Sequence, residues 1–166
     1  MRERHLTKEE IGTVMDCCGE NLILRAAYSI NIYTGIPLTY IFLIRTHHVD
    51  FTAWKLKYRN KSIPIPSEIR ATLTEYFAYR NLILRTRGEE SKWLFVSGNN
   101  KYSSHRSVIC HLSKHVRKAL GWHVKTHHLR NTALFLLSER GVRFSNFSSV
   151  TGISRRSCYN MKPPTC

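Results

Sequence analysis

Acidic residues are scarce in this sequence. It has 11 Asp and Glu against 26 Lys and Arg among 166 residues, which gives a formal net charge of +15 and a pI near 10.0. The basic residues are spread along the chain instead of forming a tail. Such an excess predicts a polyanionic partner, with nucleic acid the first choice and an anionic membrane surface the second.

The sequence also lacks the cysteine spacing and the signal-peptide pattern that are typical of secreted or metal-binding proteins. No Cys-x-x-Cys occurs, and the cysteines are odd in number: Cys17, Cys18, Cys110, Cys158 and Cys166. The opening residues are charged, and no apolar run follows them directly, so no signal peptide is predicted. We therefore expect a cytoplasmic, DNA-associated protein without a disulfide framework.

Long apolar runs are absent apart from residues 26–44, which carry no charge. Polar residues and a Gly35-Ile36-Pro37 turn interrupt this stretch. Two buried helices joined by a turn are therefore predicted there, and not a membrane span.

What the sequence does contain is a mainly helical pattern. Thr7 and Glu10 form a capping-box signature, helical spacing follows through residues 22–32, and Pro37 suits the first turn of a further helix. Another helix is predicted to start at Ser67.

The hydrophobic period changes at Asp50. Residues 51–58 alternate, Arg59 and Asn60 suit a turn, and residues 61–65 return as a short strand. Residues 93–97 are predicted as a further strand that joins this sheet. Ser103 or Ser104 is expected to cap a helix, and residues 144–150 to form a short one.

These elements predict an α+β fold that is mainly helical with a small antiparallel sheet. The length suits one hydrophobic core, so residues 1–159 are expected to form a single domain and residues 160–166 an unstructured tail.

The stretch from Lys125 to Val142 carries the most chemistry. A helix is predicted from about Leu129 to Arg140, ended by a left-handed Gly141. His127 and Arg130 are three residues apart, so they share one turn and combine a proton-transfer group with a phosphate clamp. The alternative is a capped core helix with two exposed basic side chains.

Several segments together resemble the catalytic domain of the tyrosine recombinase (phage integrase) family, from about residue 6 to residue 162. Residues 33–45 are similar to the family's Thr-Gly-Leu-Arg helix, and residues 93–97 to its Leu-Phe strand. Residues 127–132, His-His-Leu-Arg-Asn-Thr, resemble its His-x-x-Arg-His-Thr box. The spacing from Gly141 to Gly152 resembles that before its Leu-Gly-His box. The family's N-terminal helical DNA-clamping domain lies outside this resemblance.

The resemblance implies phosphoryl transfer on double-stranded DNA without metal or cofactor. In the family, a Tyr hydroxyl attacks the phosphate, two Arg and a His stabilise the charge, and a hairpin Lys protonates the leaving oxygen. His127 and Arg130 match the box. Lys57 is the first candidate for the hairpin Lys and Lys55 the second, although either also suits a solvated strand position.

The match to the family's catalytic set is incomplete. Pro37 occupies the position of the first Arg, and Arg45 lies eight residues further on, about 12 Å along a helix. Ile153 occupies the position of the late His. The family Tyr falls on Lys162, and Tyr159, one helical turn earlier, is either a displaced nucleophile or a surface or packing residue. These departures predict impaired catalysis.

Further basic residues are candidates for contacts with the DNA backbone or for a solvated surface: Lys55, Lys101, His105, Arg106 and Lys125. Cys110, His111 and His115 form only half of a zinc site, so no metal is predicted. An RNA-binding domain is disfavoured because no RNP-like strand is present.

Two classes of function therefore remain. The chain is either an impaired relative that binds DNA, alone, as a homo-oligomer or with a recombinase partner, or an active recombinase that uses Tyr159. A non-catalytic accessory protein on DNA belongs to the first class.

Overall fold

The computed structural model describes residues 4–96 and 104–160. Its helices are α1 (Lys8–Cys17), α2 (Leu22–Thr34), α3 (Leu38–Ile41), α4 (Ser67–Arg87), α5 (His105–His111), α6 (Arg117–Leu120), α7 (Thr126–Glu139), α8 (Phe147–Val150) and α9 (Arg155–Asn160). Its strands are β1 (Val49–Asp50), β2 (Lys55–Tyr58) and β3 (Lys61–Pro64). Short 3₁₀ turns cover Thr46–His48 and Phe144–Asn146. The predicted mainly helical fold with a small antiparallel sheet is confirmed.

The predicted helix ends are confirmed at several positions. Thr7 Oγ1 accepts from the Glu10 amide, and Glu10 Oε2 accepts from the Thr7 amide, which completes the capping box. Gly35 ends α2 with a φ of 71° and Gly141 follows α7 with a φ of 75°, both left-handed.

Helix α2 forms the centre of the core. Ten of its thirteen residues are buried, and it packs against both α4 and α7. The uncharged stretch 26–44 thus forms two packed helices joined by a turn, as predicted. In the described ranges, no helix is long and apolar enough to cross a membrane.

The sheet has the order β1-β2-β3 and is antiparallel throughout. Tyr58 pairs with Lys61 across the Arg59-Asn60 turn. The strand predicted for residues 51–58 is wrong in its first half, because the Asp50 carboxylate accepts hydrogen bonds from the amides of Thr52 and Ala53 at 2.9 and 2.8 Å. These bonds turn the chain before β2 begins.

Residues 93–96 do not join the sheet, which corrects the predicted fourth strand; Ser97 lies outside the described residues. Trp93 forms only an isolated bridge with Arg45. Side chains of α4 take the place of a strand partner. The Tyr76 hydroxyl donates to Leu94 O at 3.0 Å and accepts from the Val96 amide at 3.1 Å.

Arg80 completes this arrangement. Its side chain is buried, and its guanidinium donates to the backbone oxygens of Trp93 and Ser91 at distances of 2.7–3.0 Å. We call Tyr76 and Arg80 the α4 clamp. The clamp satisfies part of this backbone, and two bonds with residues 44–46 satisfy another part: the Thr46 amide donates to Lys92 O at 2.9 Å, and the Leu94 amide donates to Ile44 O at 2.8 Å.

The predicted helix after Ser104 is present, but residues Leu112–Val116 form a π-helical turn between α5 and α6. Helix α7 starts at Thr126, three residues before the predicted position. Helix α9 extends to Asn160, the first residue of the predicted tail, and residues 161–166 lie outside the described part.

A second, smaller hydrophobic cluster lies beside the main core. Its buried members come from α7 and from the segments that follow it: Ala133, Leu134, Leu137, Phe147, Ile153 and Cys158. This cluster brings together α7 and the region predicted to carry the late residues of the site.

Candidate nucleic-acid site

The two adjacent histidines in the first turn of α7, His127 and His128, have different roles. His128 Nδ1 accepts from the Lys125 amide at 2.9 Å and so caps the helix. Burial, followed by the charges of His127 and Lys125, lowers the pKa of His128. His127 is exposed, with its ring 4.1 Å from that of His128. His127 is therefore the histidine available to a ligand.

Arg130 lies one turn after His127 and is half-buried. Its Nε is buried, and none of the described residues supplies a hydrogen-bond acceptor for it. A buried donor without a partner costs about 1–3 kcal/mol, and more when the group is charged. An anion that accepted from this guanidinium would remove that cost.

The residues after Arg130 bind the N-terminal segment. Thr132 Oγ1 accepts from the Leu6 amide at 2.9 Å, and Asn131 Nδ2 donates to Arg4 O at 3.2 Å. Residues 4–6 therefore lie along α7 and are tied to the helix that carries Arg130.

Lys61, at the start of β3, contacts the segment that resembles the late-His box. Its Nζ donates to Ile153 O at 3.2 Å and to Thr151 O at 3.4 Å. Burial is the main cause of a lowered pKa for this amine. Sequence reasoning missed Lys61 because it counted along β2. The signal that could have found it is its place directly after the Arg59-Asn60 turn.

The two predicted hairpin lysines lie elsewhere on the hairpin. Lys55 and Lys57 are exposed on β2, whose alternate residues Leu56 and Tyr58 are buried. The charge of Lys57 is among those that lower the pKa of His48, after burial and the charges of His47 and Arg45.

Cys158 in α9 shows that Lys61 and Arg130 share one neighbourhood. Burial raises the pKa of this thiol, while the charges of Lys61 and Arg130 act in the opposite direction. Two cations from β3 and α7 thus lie near the same buried sulfur atom. Tyr159 follows Cys158 in α9, and its side chain lies outside the described part.

The positions of the two departures from the family pattern are occupied by apolar side chains. Pro37 is exposed at the start of α3 and has no N–H to donate. Ile153 is 2% exposed and belongs to the smaller hydrophobic cluster.

The backbones around these two positions are in direct contact. The Gly152 amide donates to Thr34 O at 2.8 Å. A Cβ on Gly152 would lie 2.6 Å from Ile36 Cα, and one on Gly35 would lie 2.7 Å from Ile153 Cγ1. The junction of residues 34–37 and 151–153 is thus closed by packing.

The other predicted DNA contacts are dispersed. Arg106 is exposed and His105 half-buried at the start of α5, Lys125 is exposed before α7, and Lys101 lies outside the described residues. Arg45 lies over the Trp93 ring, 5.4 Å from its centre. In residues 4–96 and 104–160, no group of three His, Cys, Asp or Glu side chains could hold a metal ion.

Comparison with known proteins gives matches in structure only. No protein-family model and no curated protein matches the sequence. XerA recombinase matches with a TM-score of 0.78 at 16% identity, over 97% of this chain and 60% of XerA. XerH bound to its palindromic difH substrate in a post-cleavage complex matches with 0.69 at 13% identity, over 97% of this chain and 49% of XerH.

A third match is the Tn1549 transposon integrase in complex with transposon right-end DNA. Its TM-score is 0.73 at 12% identity, over 100% of this chain and 63% of the integrase chain. The chain spans about half to two-thirds of the length of these proteins. It has the fold of a tyrosine recombinase catalytic domain.

Proposed function

We propose that this chain is a DNA-associated protein of the cytoplasm that binds double-stranded DNA through a recombinase-like catalytic domain in DNA recombination or integration. The observation that carries the proposal is the Nε of Arg130, which has no acceptor among the described residues, together with a second cation, Lys61, that also acts on the Cys158 thiol, in a chain of net charge +15. XerH and the Tn1549 integrase, two of the structural matches, are complexes with DNA, which supports the choice of polyanion.

Phosphate binding follows from the geometry of the cations. Arg130 offers a planar fork of donors that suits two phosphate oxygens. His127, one turn before it, can add a donor when protonated. Lys61 adds a point charge from the hairpin, and Lys57 and Lys55 on β2 extend the basic surface. The proposal needs no metal or cofactor.

We also infer that strand cleavage is impaired. A phosphoryl-transfer transition state spreads negative charge over oxygens that need positioned donors. Pro37 and Ile153 supply no side-chain donor, and Ile153 is packed in an apolar cluster. One missing donor costs about 3 kcal/mol, so two losses slow the step by about four to six decades.

The second candidate function is an active tyrosine recombinase. The position of Tyr159 favours this function, because Tyr159 directly follows Cys158 in the sequence. The charges of Lys61 and Arg130 both act on the pKa of the Cys158 thiol. A non-catalytic accessory protein that acts beside a recombinase or as a homo-oligomer on DNA would bind DNA in the same way.

A salt titration tests DNA binding. We expect tight, weakly sequence-specific binding to duplex DNA at low salt, with log K falling by about 0.9 for each neutralised phosphate per unit of log salt. Three or more contacts would give a slope of about −3 or steeper. A slope near zero would contradict the proposal.

A further inference from the structure

Several basic side chains lie near Trp122, just before α7. Trp122 is half-buried, and Arg4 from the N-terminal segment lies over its indole with Cζ 3.5 Å from the ring centre. The His128 ring meets the indole edge-on at 5.1 Å. We call these residues and their basic neighbours the Trp122 cluster: Arg4, Trp122, His123, Lys125, His127 and His128.

The acid that faces this cluster from α1 is already occupied. Glu10 Oε1 accepts from Trp122 Nε1 at 2.9 Å and forms an ion pair with Arg4 at 3.4 Å. Glu10 Oε2 accepts from the Thr7 amide at 3.0 Å. With its carboxylate used internally, the cluster presents an excess of positive charge.

The basic neighbours of His128 lie close enough to oppose its protonation. His127 and His128 are 4.1 Å apart, and the charges of His127, Lys125, Arg4 and His123 add to burial in lowering the pKa of His128. His123 and His127 are exposed, so both can reach a ligand. An incoming phosphate would relieve the repulsion and favour the protonated rings.

The cluster also adjoins the proposed phosphate site. His127 and Arg130 are three residues apart on α7 and therefore neighbours on its surface. A DNA backbone that reached Arg130 would pass His127 and the exposed groups beside it.

We propose that the Trp122 cluster binds phosphates of duplex DNA next to Arg130 and that its exposed histidines, His123 and His127, take up protons when DNA binds. This inference rests on the proposed DNA binding and adds its coupling to pH. A phosphate next to an imidazole ring favours the charged form of that ring, so DNA binding would draw protons from solution.

The test measures affinity for a duplex of about 20 base pairs at constant ionic strength between about pH 7.5 and pH 5.5. A rise of one unit in the pKa of one histidine gives up to about tenfold tighter binding at the acidic end. We expect a rise of about that size in the parent protein. Calorimetry in two buffers of different ionisation enthalpy should show a maximum uptake of about half a proton within this pH range.

Two matched variants assign the effect to the cluster. The double change His123→Gln and His127→Gln should remove most of the pH dependence. The control, His47→Gln and His115→Gln, removes two other exposed histidines and the same formal charge, and should retain it. Equal unfolding midpoints show that both variants fold.

The outcomes separate this inference from the function it rests on. Salt-dependent binding without proton uptake, or equal pH dependence in both variants, would overturn the inference and leave DNA binding in place. Absence of binding at every pH would overturn both.

Discussion

The first turn of α7 and the junction of residues 34–37 with 151–153 differ in the state of their polar groups. At α7, Arg130 has a buried N–H for which the described part of the chain offers no acceptor, and His127 is exposed to solvent. At the junction, the Gly152 amide is paired with Thr34 O, and Ile153 fills the space beside Gly35. The first region has hydrogen-bond donors available to a ligand. At the junction, the amide is paired within the protein and the apolar side chain fills the remaining space.

The difference matters because phosphate binding and catalysis need different arrangements of polar groups. Anchoring a DNA phosphate needs cations at one place, and Arg130 and Lys61 are the cations proposed for this role. Stabilising a transition state needs donors on several sides of the phosphorus atom, and the junction contributes none from Pro37 or Ile153. The comparison can be tested at three levels of effect.

The largest expected effect is on strand cleavage. Incubated with nicked or suicide DNA substrates, the native chain should give no covalent protein–DNA adduct on denaturing gels. The reason is the loss of about four to six decades in rate from two missing donors. A robust adduct that disappears in Tyr159→Phe would show the impairment to be wrong and would identify Tyr159 as the nucleophile.

The second effect is on stability and concerns restoring a donor at the junction. Ile153→His would place an imidazole in an apolar cluster, and we expect it to lower the free energy of unfolding by about 3 kcal/mol. Urea denaturation measures the change. The exposed Pro37→Arg is the control and should change stability by about 0.5 kcal/mol or less.

A loss of stability in Ile153→His would also limit any attempt to restore catalysis by adding the missing donor. If Ile153→His kept native stability and, together with Pro37→Arg, produced an adduct, then the junction would be more open than its packing indicates.

The smallest effect is on DNA affinity. Arg130→Met should weaken duplex binding about tenfold or more, because a charge-assisted hydrogen bond contributes about 1.5–3 kcal/mol. The same change should leave the unfolding midpoint unaltered or slightly raised, since it removes an unpaired buried donor. Arg85→Met, an exposed change near the end of α4, is the matched control. Equal affinity losses in the two variants would contradict a special role for Arg130.

Local signals in the sequence were sufficient for most elements. The Thr7–Glu10 capping box, the glycines at 35 and 141 and the hairpin turn at 59–60 each act within a few residues. For the same reason the His127–Arg130 pair could be found on one turn.

Features that depend on distant groups could not be predicted. Residues 93–96 have the composition of a strand, but side chains 13–20 residues earlier satisfy their backbone. The contacts of Lys61 with Thr151 and Ile153 could not be predicted, because these partners are about 90 residues away. The burial of Ile153 depends on Gly35, which is equally remote in sequence.

The α4 clamp has a consequence for which substitutions the chain tolerates. Tyr76 and Arg80 bind carbonyl oxygens and an amide of residues 91–96, and every residue type has a carbonyl oxygen. The path of that segment is therefore fixed by two side chains on a neighbouring helix together with the burial of its own Leu94 and Phe95. The exposed Lys92 can therefore vary, whereas Arg80→Lys would lose the planar fork by which Nε and Nη2 both donate to Trp93 O.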